Sequence, residues 1–298
     1  MKPNLQAHLA LFAANLIYGI NYTVAKDVMP AYIGPAGFVL LRVVGALLLF
    51  WLSGMFYQKE KIDKKDFRKL IVCGLFGVAA NQTLFFQGLN LTSPINASII
   101  IVATPILVLV FATIIIKEKI TSNKVIGVLM GICGALMLIF LKPENIGKLG
   151  VGNALGDLFI LLNACSYAIF LVMAKPLMKK YKPLTVIKWV FLFGTIFVIP
   201  MGVWEAAIVN YQIIPFKIWL EIFFVIIFVT YLAYLLNIFA LQTLSSAVVS
   251  AYIYLQPIFG AIIALTLAKD ELNWIKILSA ILIFVGVYLV SKPLKTNV

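Results

Sequence analysis

The sequence predicts an all-α integral membrane protein of ten transmembrane helices, built as two inverted five-helix repeats over residues 1–145 and 146–298. Three observations carry that expectation. The chain is 63% hydrophobic and only 12% charged, too little charge to coat a water-soluble domain of 298 residues. Apolar windows recur at about the 20-residue length that crosses roughly 30 Å of hydrocarbon as a helix. The stretch from Gln87 to Leu138 also returns, without a gap, 152 positions later. Leu89 meets Leu241, Ser93 meets Ser245, Pro105 meets Pro257, Lys117 meets Lys269, Glu118 meets Asp270 and Gly134 meets Gly286. Unrelated apolar segments would share leucines, but not a turn, a proline, a charged loop and a glycine in one register.

Taken in order, the first window runs from Ala7 to Val24. Its single Lys2 and following apolar run have the shape of a secretory leader. The run continues with no small-residue cleavage site ahead of a polar chain, so it reads as a retained first helix. The next windows are Ile33–Phe56, which contains Arg42, Leu70–Leu89, and Ile95–Ile116, which Thr104-Pro105 interrupts. Val125–Leu141 is stepped by Gly127, Gly131 and Gly134, a spacing that lets helices approach closely. Such a stripe, with Ser279 and Gly286 in the last window, fits packing inside the bundle or a homodimer seam, and the spacing does not choose. The second half supplies Gly152–Met173, Leu184–Trp204, Trp219–Gln242, Ala247–Ala268 and Trp274–Ser291. Connections are short, so successive helices are antiparallel neighbours. Windows apolar on every side and about 20 residues long exclude the ten-residue alternating strands of a membrane barrel.

The net charge of +13 sits in the gaps between windows, so it is a topology signal and not a nucleic-acid surface. With both termini cytoplasmic, inner gaps hold 17 Lys and Arg residues against 6 in outer gaps. Five helices per half is odd, so the second copy enters the membrane upside down. Inverted repeats of this kind place a solute site near the midplane, between the halves. The expected location is the plasma or inner membrane. Cys73, Cys133 and Cys165 lie inside apolar windows with no metal-ligand spacing and read as packing residues. No GxxxxGK[ST] loop is present, and no cofactor or metal is expected.

The residues resemble the drug/metabolite transporter superfamily and, within it, the EamA-type permeases. The resemblance is carried by Tyr18-Gly19 in helix one, where that family often has Trp-Gly, and by Arg42 in FVLLRVVGA. The stretch GLNLTSPINASIIIVATPILVLVFATIIIKEKI is its most specific part. It implies that helices 1, 3, 4, 6, 8 and 9 surround a central cavity, that helices 2 and 7 flank it, and that helices 5 and 10 lie at the periphery. It also implies export of amino acids or related metabolites, often with proton coupling. At the second-half counterpart of Arg42 stands Phe191, so the basic position occurs once.

Polar side chains facing lipid are costly, so those inside the windows are expected to face the interior. Helical spacing groups Asn15, Tyr18 and Tyr22 on helix one, Thr83 and Gln87 on helix three, and Asn96 and Thr104 on helix four. Asn163 and Tyr167 stack on helix six, Tyr234 and Asn237 on helix eight, Tyr252 and Gln256 on helix nine. Any single one also fits the hydrogen-bond glue of membrane bundles. Together they suit an uncharged or zwitterionic small-molecule solute, with choice residing where Ile100 and Thr104 face Tyr252 and Gln256. Pro105 and Pro257 each remove a backbone donor and are candidate bends. His8 and Asp157 are candidate carriers of a coupling proton, at opposite faces by the inverted repeat. Arg42 reads as a structural or gating group, since no acidic partner is evident in its half.

The expected function is a secondary transporter that exports an amino acid or related metabolite by alternating access. A membrane enzyme would need a convergent catalytic set, and one histidine with scattered carboxylates supplies none. A non-transporting sensor or assembly factor, or a transporter of nucleobases or drugs, remains as the alternative. The sensor predicts a bundle closed throughout its interior.

Overall fold

A computed structural model describes residues 3–56, 60–92, 97, 100–118, 120–140, 154–256, 258–259, 262 and 274–291. Among these residues every regular element is helical. The first half contains α1 (Pro3–Val28), α2 (Pro35–Met55), α3 (Phe67–Gly74), α4 (Asn81–Leu91), α5 (Thr104–Ile116) and α6 (Ser122–Phe140). The second contains α7 (Ala154–Met178), α8 (Pro183–Ala207), α9 (Phe216–Phe224), α10 (Ala233–Thr243), α11 (Ser246–Ala251) and α12 (Trp274–Ser291). Among the described residues, five spans are long and apolar enough to cross a membrane: Pro35–Met55, Lys64–Leu91, Ala154–Met178, Pro183–Ala207 and Phe216–Thr243. Shorter apolar helices accompany them at Thr104–Ile116, Ser122–Gly134 and Ile277–Val290. Leu48, Leu52, Ile114, Ile196 and Phe223 are exposed on the outside of the bundle, an apolar skin that suits lipid rather than water.

Two spans are interrupted by a wide turn. Leu75–Ala80 joins α3 to α4, and Val225–Leu232 joins α9 to α10, both as π-helix. Shifted by 152 positions, the first falls inside the second. A π turn leaves backbone groups displaced from the ordinary ladder, and here a side chain answers one of them. Thr230 Oγ1 donates to Val225 O at 2.8 Å, a bond across five residues.

A second interruption precedes Pro105. The Ala103 N–H bonds Ile100 O at 3.0 Å and the Ile106 N–H bonds Ala103 O at 3.1 Å, both tight three-residue spacings. Pro105 then opens α5 at a first-turn position, where its missing N–H costs nothing. The equivalent place in the second half is the 3-10 turn Tyr252–Tyr254. Pro257, the other expected bend, lies outside the described residues.

The main packings come in reciprocal sets. α6 runs against α12 and α2 against α8, while α4 packs on α7 as α10 packs on α1. The glycine steps explain the first of these. A Cβ on Gly127 would lie 2.6 Å from Gly286 O, and one on Gly286 would lie 2.6 Å from Gly127 O. A Cβ on Gly134 would sit 2.7 Å from Ser279 O. The stripe is therefore engaged inside the chain, between α6 and α12, and of the two readings the spacing left open it is packing within the bundle.

Side chains tie the helix ends together. At one end Lys180 Nζ and Tyr181 Oη donate to the buried Asp66 carboxylate at 2.8 and 2.9 Å. Near that end Lys175 Nζ donates to Leu241 O and Leu244 O at 2.7 and 2.6 Å, satisfying carbonyls that the end of α10 leaves open. At the other end of the bundle the Glu205 carboxylate, from the end of α8, accepts from the Ala36 and Gly37 N–H groups at 2.8 and 3.0 Å. It caps the start of α2, where a negative charge meets the positive pole of the helix dipole.

Candidate functional site

The two kinds of interruption leave room in the middle of the bundle. A cavity of about 110 Å³ is lined by Asn15, Tyr18 and Asn21 of α1, Arg42 of α2, and Asn81, Gln82, Phe85 and Phe86 of α4. Ile101 and Thr104 contribute at the broken turn, Asn163 and Tyr167 from α7, and Val229 and Tyr234 from the eighth window. Ile253 and Gln256 contribute beside the second broken turn. On a scale where one water occupies about 10–15 Å³, this holds several waters or a small solute. The helices expected to surround a cavity all reach it. Helix two, expected to flank, reaches it as well through Arg42.

The lining is ordered by hydrogen bonds that cross between helices. Gln256 Nε2 donates to Asn15 Oδ1 at 2.9 Å, and Asn15 Nδ2 donates to Leu11 O at 2.8 Å. Gln82 Nε2 donates to the Tyr234 hydroxyl at 3.3 Å. Asn163 Nδ2 donates to Asn81 O at 2.7 Å, filling the carbonyl just beyond the first π turn. Two buried amide oxygens of lining residues, Asn21 Oδ1 and Gln82 Oε1, accept from no donor among the described residues.

Arg42 is the one formal charge among the described residues of that lining and is only 3% exposed. Its Nε donates to Thr230 Oγ1 at 2.8 Å, and its guanidinium carbon lies 4.5 Å from the centre of the Phe86 ring. The Thr230 proton is committed to Val225 O, so its lone pairs are what it offers Arg42. The π turn thus builds the socket for the guanidinium. Among the described residues no carboxylate lies within ion-pair distance of it.

Of the residues singled out from sequence, Asn15, Tyr18, Thr104, Asn163, Tyr167, Tyr234 and Gln256 come together in this cavity. Asn237 stands one step behind it, its Nδ2 3.4 Å from the Tyr18 hydroxyl. Tyr252 does not line it and instead bonds His8 Nδ1 at 2.7 Å. Thr83 is buried and Gln87 half-buried on a different face of α4. Asn96 lies outside the described residues, as does the side chain of Tyr22. Asp157 accepts from Thr92 Oγ1, away from the lining. Arg42, read from the sequence as structural or gating, also lines the cavity, and so do Asn21, Asn81 and Gln82, which the expected site did not include. The signal that finds the α4 pair is the i, i+1, i+4, i+5 pattern Asn81, Gln82, Phe85, Phe86, which mixes amides with aromatic rings.

Eight of the lining positions form four pairs of repeat partners. Gln82 pairs with Tyr234, Ile101 with Ile253 and Thr104 with Gln256 at the offset of 152, and Tyr18 with Tyr167 at 149. The difference between copies at the broken turns is therefore Thr104 against Gln256 within the cavity, while Ile100 and Tyr252 lie outside the lining.

A family model for the EamA-like transporter family matches residues 5–140 and 154–292, nearly the whole chain in two copies. The chain belongs to the EamA-like transporter family. Among relatives of this EamA-like chain is the uncharacterized transporter YyaM of Bacillus subtilis (strain 168), 25% identical over 97% of this chain and 94% of the relative. The uncharacterized transporter YetK of the same organism is 24% identical over 97% of this chain and 87% of its own length. Protein WALLS ARE THIN 1 of Arabidopsis thaliana is 25% identical over 97% and 83%. A solved crystal structure superposes with a TM-score of 0.74 at 17% identity, covering 95% of each chain, a likeness of fold. The protein is a multi-pass membrane protein of a transporter family.

Proposed function

We propose that the chain is a secondary transporter that exports a small polar or zwitterionic metabolite, an amino acid or close relative, by alternating access. The observation that carries this is the composition of the central cavity. Amides and phenols from both halves face one space, and two of the amide oxygens, Asn21 Oδ1 and Gln82 Oε1, are left for donors that a hydrated small solute can supply. A bundle serving as a sensor or assembly factor has no need of such a space. The reciprocal helix packing and the two π turns at matching positions support ten spans arranged as two inverted repeats. The excess of Lys and Arg in alternate gaps supports cytoplasmic termini in the plasma or inner membrane.

In this reading the broken turns before Pro105 and at Tyr252–Tyr254 are the joints about which half-helices tilt, opening the cavity to one face and then to the other. Proton coupling through His8 or Asp157 is the reading's last element, and it predicts that His8→Gln or Asp157→Asn flattens the pH dependence of flux. The test is uptake by proteoliposomes of labelled amino acids and of nucleobases, with and without a pH gradient. Saturable amino-acid flux is expected. Equal leakage of every solute from loaded and empty vesicles sinks the transport reading, and flux confined to nucleobases redirects it to that class.

A further inference from the structure

Among the described residues, the cavity's cation has no counter-ion. Arg42 is buried, carries five N–H donors on its guanidinium, and uses Nε alone, on Thr230. The Phe86 ring beside it offers the face of its π-system, which softens the cost of burial but accepts no hydrogen bond in the plane of the guanidinium fork. A buried charge is retained when something pairs with it, and an intramembrane ionisable group marks a binding or transport pathway by default. No carboxylate is among the described residues lining this space, so the missing anion is not supplied by the wall. At the corresponding position of the second half Phe191 packs edge-on against Tyr234, 5.2 Å between ring centres. The charge is therefore confined to one half of the repeat.

We propose that Arg42 is the carboxylate-binding residue of the cavity, and that the solute is a small molecule bearing one carboxylate and an N–H group. The open edge of the guanidinium takes the carboxylate through the planar two-oxygen geometry that arginine favours. The amide oxygens of Asn21 and Gln82, buried without donors, are the acceptors for the solute's N–H. A decarboxylated amine is rejected, because it would bring a second positive charge to a site that has no negative one. This assignment rests on the transport reading, since it names the solute class of the same cavity.

The test uses the full chain in lipid nanodiscs and the small arginine reagent butane-2,3-dione, with adducts read by mass spectrometry. The only other arginine, Arg68, is exposed and serves as the internal control. Acetate, small enough to enter any carboxylate site, is expected to slow modification of Arg42 about threefold at a concentration roughly twice its Kd. Acetamide at the same concentration leaves the rate unchanged, and Arg68 reacts at one rate throughout. Equal protection by acetate and acetamide overturns the assignment, as does an Arg42 that never reacts while Arg68 reacts fully. In proteoliposomes Arg42→Gln is expected to lose carboxylate-solute flux, with its folding checked by tryptophan fluorescence. Flux of a solute lacking a carboxylate, undiminished in Arg42→Gln, overturns the assignment and leaves transport standing. Acetate protection without flux of any solute does the reverse.

Discussion

Gln82 and Tyr234 hydrogen-bond through the cavity wall, amide Nε2 to hydroxyl at 3.3 Å, and they stand 152 positions apart, the same place in two copies of one unit. The bond joins α4 to α10 where the two π turns end. The Tyr234 hydroxyl also has two acceptors in reach for its one proton, Asn81 Oδ1 at 3.1 Å and Gly77 O at 3.2 Å. Replacing it, Tyr234→Phe, leaves Gln82 with neither end of its amide paired, a loss of about 1–3 kcal/mol for a buried polar group. A lower unfolding midpoint in detergent is expected, and an unchanged midpoint would show that Gln82 is satisfied some other way.

The contact between α6 and α12 predicts an asymmetric response to glycine replacement. Gly127→Val places atoms where Gly286 O already lies 2.6 Å from an ideal Cβ, and backbone does not yield as a side-chain tip does. Overpacking of this kind costs about 1–3 kcal/mol. Gly54→Ala is the control, since its Cβ meets only the Lys188 side chain at 3.6 Å. The first variant is expected to melt lower, and the second at or slightly above the parent temperature.

Glu205 supplies a cap for α2 from the end of α8, bonding the Ala36 and Gly37 N–H groups. Glu205→Ala removes both bonds and the favourable charge at the helix pole, about 1–2 kcal/mol by comparison with other caps. Solute affinity is expected to stay the same, because the cap is remote from the lining. A shift in affinity without loss of stability would place α2, and with it Arg42, under the control of this end of the bundle.

Outside the membrane, the hydrogen bond to Asp66 holds the Lys180 ammonium above its usual pKa. A raised cationic pKa contributes stability that is present below the unfolded value, about 10.4 for lysine, and disappears as pH climbs through the raised folded value. Lys180→Met is therefore expected to be less stable than the parent at neutral pH, by a modest margin because the amine is half exposed. The two unfolding midpoints are expected to converge above about pH 10.4. A gap that persists there assigns the effect to packing of the lysine stem.

The primary sequence determined the helical membrane class, the two-copy plan and most of the polar groups that meet at the centre. These follow from local properties: window length is set by hydrocarbon thickness, and the repeat of Pro105 at Pro257 or Gly134 at Gly286 is visible by register. The tertiary structure decided which face of each helix points inward. On α4 the uniform period favoured Thr83 and Gln87, whereas Gln82 and Asn81 line the cavity, because both faces are buried and the wide turn at Leu75–Ala80 resets the rotation ahead of them. The sequence also left Arg42 without a partner in its own half. Its partner, Thr230, lies 188 residues away, in the π turn between α9 and α10. A hydrogen bond across that distance is legible in no local pattern, and it sets the one charge of the cavity in place.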